Sequence, residues 1–435
     1  MSNFSPSLSE RSLSAIWHPC SQMERLQSCP PLAIRSGHDG WLVDESGRRY
    51  FDAISSWWVN ILGHTNQRIT AAIIEQANRL SHVMLGGCTH EPAVRLAERL
   101  AARTNHQLGH VFFASDGSSA VEIALKQCFH AKAMQGKGSK TRFACLRNSY
   151  HGETIGALSV TDVPLFQNAY RALLTDTLIV ESPDSRDGNE GAALKALSNL
   201  LDERGDEIAA LVIEPRVQCG GGMSMHSSEY LRKVRQMTRQ HDVYLIADEI
   251  AVGCGRTGTF FAWEQVSETD WPDIVLLSKG ITGGNLPLSV VLSSEEIFQC
   301  FLSDDFTKGF LHSHSYTGNP LACAAANAVL DHFDEGLTDA IAQQAQYLSQ
   351  AFDRFNGDSR VSPVRQCGMI LAFEVNNPGN NFAERFHMEG RAHELLIRPI
   401  GNTVYLIPPY VLNQELAEFL ANAVDQCLDK VLSGC

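Results

Sequence analysis

No apolar run in this 435-residue chain approaches the roughly 18 residues that a helix needs to cross a bilayer. The opening stretch, MSNFSPSLSERSLSAIWHP, has no basic segment followed by an apolar one, so no secretory leader is expected either. Positive charge is scarce: 35 Lys and Arg stand against 49 Asp and Glu, a formal net charge of −14, and no basic stripe offsets it. That argues against nucleic acid as a partner. The twelve cysteines never fall in C-x-x-C spacing and the sixteen histidines never form H-E-x-x-H, which disfavours a zinc ribbon, a redox pair and a metalloprotease-type centre. Cysteines so scattered, with no leader, read as free thiols and imply a cytoplasmic protein. Neither CGGGM (219–223) nor GCGRTG (253–258) carries the G-K-[ST] of a nucleotide-binding loop, so both read as turns.

What is present is a chain able to bury a large core, 44% hydrophobic and only 19% charged, of a length that predicts two or three domains. Short apolar runs at HVFFAS, RFACLR, ALVIEP, VYLIADE, DIVLLSK and SVVLSS alternate with helical stretches between about residues 110 and 295. They read as buried parallel strands covered by helices on both faces. After the Ala-rich helix NPLACAAANAVLDHF the pattern changes: two strands, MILAFEV and TVYLIPPY, precede an amphipathic C-terminal helix. The expected fold is α/β, with a large domain over residues 61–335 and a smaller α+β unit over 336–435. The strand-turn-strand signal GWLVDESGRRYFDA could pair with either unit, and residues 1–60 are assigned to the smaller one.

Four features carry chemistry. Lys279 ends an otherwise apolar strand, where open α/β sheets bind ligands and where burial makes a lysine a usable nucleophile. The plainer reading is a stem leading out to solvent. Asp248 ends the preceding strand, and a lysine and a carboxylate at neighbouring strand ends are what pyridoxal phosphate needs: an amine for its aldehyde and an anion for its ring nitrogen. Alone, Asp248 reads as a turn cap. Gly117 and Ser118 open a helix directly after a strand, an arrangement that cradles a phosphate but is also a common cap. Tyr150 could stack on a planar ring and Trp57 with Trp58 offers a large apolar wall, though each is more often plain core.

In this order, these residues resemble the class III aminotransferases of fold type I over nearly the whole chain. LIADEIAVGCGRTGTFFAWE followed by PDIVLLSKGITGG looks like that family's cofactor region. The resemblance implies that Lys279 bonds to the cofactor, that Asp248 partners the ring nitrogen, and that Gly117 and Ser118 hold the phosphate. It also implies a homodimer in which a partner loop, here Ser313-His314-Ser315, completes the phosphate site. Many relatives have Gly-Pro-Thr there, so only the hydroxyl at Ser315 is retained.

Within the family, IWHP (16–19), SSWW (55–58), SHVMLGG, NSYHGET, GNPLACAAANA and IRPIGNTVYLIPPY resemble the branch of biotin synthesis. That branch converts 8-amino-7-oxononanoate to 7,8-diaminononanoate with S-adenosyl-L-methionine as amino donor. The resemblance implies that Trp57, Trp58 and Tyr150 line the substrate site and that Arg398 meets a substrate carboxylate with its fork; otherwise Arg398 is a surface ion pair. Cys20 stands where many relatives carry a tyrosine, which alters the donor side. The alternatives are lysine as donor, or another class III reaction on ornithine, 4-aminobutyrate or a diamine.

Overall fold

The computed structural model describes residues 6–184 and 186–433. Three short strands come first: β1 (Ile34–His38), β2 (Trp41–Asp44) and β3 (Arg49–Asp52). Next come β4 (His110–Ala114), β5 (Arg142–Leu146), β6 (Leu178–Val180), β7 (Ile208–Ile213), the ribbon β8 (Val217–Gln218) and β9 (Ser224–Met225), β10 (Tyr244–Asp248), β11 (Ile274–Leu277) and β12 (Ser289–Ser293). The chain closes with β13 (Arg365–Cys367), β14 (Ile370–Glu374), β15 (Leu395–Leu396), β16 (Thr403–Leu406) and the helix Gln414–Leu432.

The large sheet runs β4-β12-β11-β10-β7-β5-β6. Its strands are apolar without alternation because both faces are covered. Leu211, Leu245, Val275, Leu277 and Val290 enter one core cluster, while Val212, Ile246, Ile274, Leu276 and Val291 enter another on the opposite face. The helix Gly117–Met134 packs across β7, β11 and β12 and covers that second face.

One expectation needs correcting. SVVLSS forms β12, but it runs antiparallel to both β11 and β4. Only residues 278–288 join it to β11, too few for the helical crossover that a parallel return needs. The three-residue β6 escaped notice because so short a run carries no periodicity.

With β12 reversed, β4, β5, β7, β10 and β11 all end at one edge, and each is followed by a polar residue. The N-terminal strands lie elsewhere: β2 and β3 form a hairpin, and β3 runs parallel to β15, with Asp52 opposite Leu396. Residues near Asp52 and near Arg398 therefore leave the same end of a two-strand parallel pair. The third sheet, β13-β14-β16, is antiparallel. Among the described residues no helix is long and apolar enough to cross a membrane.

Candidate active site

The strand ends enclose a cavity of about 180 Å³. Because β10 and β11 are parallel neighbours, Asp248 and Lys279 reach it side by side. Asp248 is 4% exposed; its Oδ2 meets His151 Nδ1 at 2.7 Å, and Oδ1 accepts the Ile250 amide at 3.1 Å. It thus makes the turn cap that sequence suggests for it and a buried side-chain pair besides. His151 Nε2 is buried and lacks a partner.

Lys279 has φ of +42°, a left-handed conformation that is uncommon outside glycine and collects at functional sites. Its Nζ lies 4.5 Å from the centroid of Trp58, and no carboxylate among the described residues pairs with it. Burial pushes the ammonium below the usual lysine range, against the opposing pull of Cys219, Asp248 and Glu214.

At the other end of the cavity the helix Gly117–Met134 begins, capped by Asp116, whose Oδ1 accepts the Ser119 amide at 2.9 Å. The amides of Gly117 and Ser118 sit in the first turn, where helix geometry provides no intrahelical acceptor. The loop at 152 passes close over this turn: a Cβ on Gly152, at φ +126°, would fall 2.1 Å from Ser118 Oγ. Backbone alone fits there.

Tyr150 lines the cavity and donates its hydroxyl to Glu153 Oε1 at 2.8 Å. Cys20 Sγ approaches that same oxygen at 3.8 Å. Glu153 therefore links the inner cavity to a larger one of about 760 Å³ lined by Cys20, Trp57 and Arg398. Arg398 pairs with no carboxylate among the described residues, and its guanidinium lies 5.7 Å from the Trp57 ring. The surface ion pair is not what is found.

Trp57 and Trp58 part company: Trp58 is buried against Tyr405 and Lys279, while Trp57 is 45% exposed. The turn that carries them is left-handed at Ser55, Ser56, Trp57 and Trp58, with φ of 48°, 48°, 65° and 73°. Such a conformation costs roughly 1–2 kcal/mol per residue for L-amino acids.

Ser313, His314 and Ser315 do not line either cavity of their own chain. His314 Nε2 meets His312 Nε2 at 2.9 Å, the Ser315 carbonyl pairs with His82 at 2.8 Å, and Leu311 and Tyr316 on either side are exposed.

His151, Glu153 and Glu214 were not singled out in the sequence. Two of them sit inside NSYHGET, and Glu214 follows β7 just as Asp248 ends β10, so the same rule of a polar residue at an apolar strand's end could have found it. Glu214 is 3% exposed, and burial pushes its carboxyl up to about 7, with His151 and the amides of Tyr150 and Cys219 opposing. The folded protein keeps this proton to about pH 7, whereas the unfolded chain releases it near 4.5. Stability contributed by this group is therefore present below about 4.5 and lost as pH rises toward 7. Relative to Glu214→Gln, which has no proton to release, the unfolding free energy of the wild type is expected to fall by about 1–3 kcal/mol between about pH 5 and pH 8. Parallel pH profiles for the two proteins would contradict this.

A lysine and a carboxylate at adjoining strand ends, facing the start of a helix, are the fittings of a transferase that works with pyridoxal phosphate. The chain belongs to the class III aminotransferases, whose profile (Aminotransferase class-III) matches residues 23–428. It is 39% identical to the adenosylmethionine-8-amino-7-oxononanoate aminotransferase of Helicobacter pylori, over 99% of this chain and all of that one. A crystal structure of the enzyme of that name from Methanocaldococcus jannaschii superposes with a TM-score of 0.93 at 31% identity, covering 97% of this chain and 98% of the other. The omega transaminase of Pseudomonas jessenii in complex with PMP gives 0.92 at 26% identity, covering 98% and 99%. The protein is an aminotransferase and its cofactor is pyridoxal 5′-phosphate. The cavity fits that group: it has an anion at one end, backbone-only clearance at the other, and an unpartnered buried ring nitrogen beside the anion.

Proposed function

We propose that this enzyme transfers an amino group from S-adenosyl-L-methionine to 8-amino-7-oxononanoate, giving 7,8-diaminononanoate for biotin synthesis. The observation that carries the reading is the unpaired Arg398 beside exposed Trp57 in the outer cavity: a carboxylate fork next to an apolar wall suits a keto acid with a long alkyl chain. Full-length relatives bearing that enzyme's name support it.

In this reading Lys279 would carry the cofactor through its amine, and Asp248, steadied by His151, would hold charge at the ring nitrogen. Gly117 and Ser118 would hold the phosphate, and Tyr150 would flank the ring. When bound, pyridoxal phosphate supplies the electron sink that makes a proton α to an amine labile. Lys279 would take that proton from the donor's α-carbon and return it, and the lowering of its basicity by burial suits it to both directions. Arg398 orients the acceptor while Trp57 and Trp58 exclude water along its chain. Cys20 and Glu153 line the donor side.

The protein would act as a homodimer in the cytoplasm. The exposed Ser313–Ser315 loop, unused by its own site and flanked by exposed Leu311 and Tyr316, would close the phosphate end of the other copy. Eleven free cysteines among the described residues, most of them buried, suit a reducing compartment.

The test is to incubate the purified protein with 8-amino-7-oxononanoate and, in parallel, S-adenosyl-L-methionine, lysine, ornithine or 4-aminobutyrate, and to look for the diamine by mass. Diamine with S-adenosyl-L-methionine is expected, from a particle of about twice 47.8 kDa. No diamine with any donor would remove this reading and leave the family.

A further inference from the structure

The left-handed Ser55–Trp58 turn is held by a residue that touches neither cavity. Asp52 ends β3 and is fully buried; its Oδ1 accepts the Ser56 amide at 2.9 Å, and its Oδ2 accepts the Ser56 hydroxyl at 2.6 Å. The Oδ2 atom also meets His64 Nε2 at 3.0 Å. His64 is in turn fixed by two backbone hydrogen bonds with Asp39, and it packs so tightly on Gly37 that a Cβ there would lie 2.9 Å from its own. The two ends of the turn are secured separately: Ser55 Oγ donates to the Ile407 carbonyl at 2.7 Å at its start, and Arg256 Nη2 donates to the Trp58 carbonyl at 3.2 Å at its end.

Trp57 sits between these anchors. Its indole makes no hydrogen bond among the described residues, is 45% exposed and has the Arg398 guanidinium 5.7 Å from its ring, so its direction depends on the backbone that carries it. That backbone is one that serine and tryptophan avoid unless something holds it. The amide at 56 lies in the first turn, where no carbonyl of the turn can accept it, and Asp52 is what accepts it.

We propose that Asp52, braced by His64, is a positioning residue for substrate recognition: it fixes the left-handed turn that aims Trp57 into the cavity of Arg398. This rests on the reading of Trp57 and Arg398 as the substrate wall. Arg398 lies two residues beyond Leu396, the strand partner of Asp52, so one short parallel pair carries both halves of that wall. Glycine adopts positive φ without steric cost, so at position 56 it should lessen the turn's dependence on its clamp where alanine does not.

The test uses the cofactor-loaded enzyme and three variants: Asp52→Ala, and the same change combined with Ser56→Gly or with Ser56→Ala. For Asp52→Ala, KM for the keto acid is expected to rise about tenfold while kcat per bound cofactor changes by less than about threefold. Ser56→Gly should recover most of the lost KM and Ser56→Ala none. A second readout needs no substrate: the near-ultraviolet circular dichroism lost on Trp57→Phe marks the ordered indole. That component should vanish in Asp52→Ala and return with Ser56→Gly. If the wild type turns over a different acceptor, the proposed substrate fails while the dichroism still tests the clamp. Unchanged KM with activity lost only in step with folded protein, or equal behaviour of glycine and alanine at 56, would overturn the proposal. A Trp57 signal that survives Asp52→Ala would do so as well.

Discussion

Replacing Lys279 by alanine is expected to lower turnover by at least about 10,000-fold, since both covalent attachment and proton transfer would leave with one amine. The structure makes that amine hard to replace. Lys279 is partly exposed, lines the cavity, holds an uncommon φ of +42°, and rests over Trp58 with no carboxylate among the described residues paired with it. Burial lowers its basicity below that of an exposed lysine, which favours the free amine that attacks an aldehyde. Two measurements separate chemistry from folding. Borohydride treatment of the wild type should leave a pyridoxyl group on residue 279, and a small primary amine added to the alanine variant should restore part of the turnover. Activity within about tenfold of wild type in the variant would refute the assignment.

Asp248→Asn should cost about 1,000-fold in kcat, comparable to losing a preorganised electrostatic partner in a buried site. The asparagine has nearly the same shape, so the effect isolates charge. Asp248 is buried, and its two oxygens are committed to His151 Nδ1 and the Ile250 amide, a geometry that keeps the carboxylate aimed and dehydrated. An anion in that setting favours a protonated ring nitrogen far more strongly than one in water. His151→Ala is expected to fall between, by about tenfold to a hundredfold, because it leaves the charge but not its orientation. The visible spectrum of the bound cofactor reports the same change independently of rate. An asparagine variant with wild-type spectrum and turnover would show that the ring nitrogen has another partner.

Lys279 and Asp248 were legible because each ends an apolar run, and apolar-run and strand-end rules need only local sequence. The six runs between residues 110 and 294 all became strands for the same reason. The direction of β12 was not legible, since a run of apolar residues reads the same either way and only the short link to β11 reverses it. Glu153 was passed over because a carboxylate in a loop looks solvated until its surroundings are known, whereas Glu214, directly after β7, met the strand-end rule that was not applied to it. Asp52 and His64 were not singled out, because RRYFD is too short and too polar to read as a buried strand and nothing local pairs it with a histidine twelve positions on.

Composition and local pattern by themselves determined that this is a helix-covered α/β protein with a lysine and an acid at adjacent strand ends, because burial periodicity and turn chemistry act over a few residues. Only the tertiary structure decided which face of each tryptophan is exposed, which strand runs backwards and which buried acid holds the left-handed turn. Those outcomes depend on hydrogen bonds and close contacts between segments far apart in the chain, such as Ser55 with Ile407, whose energies no local window contains.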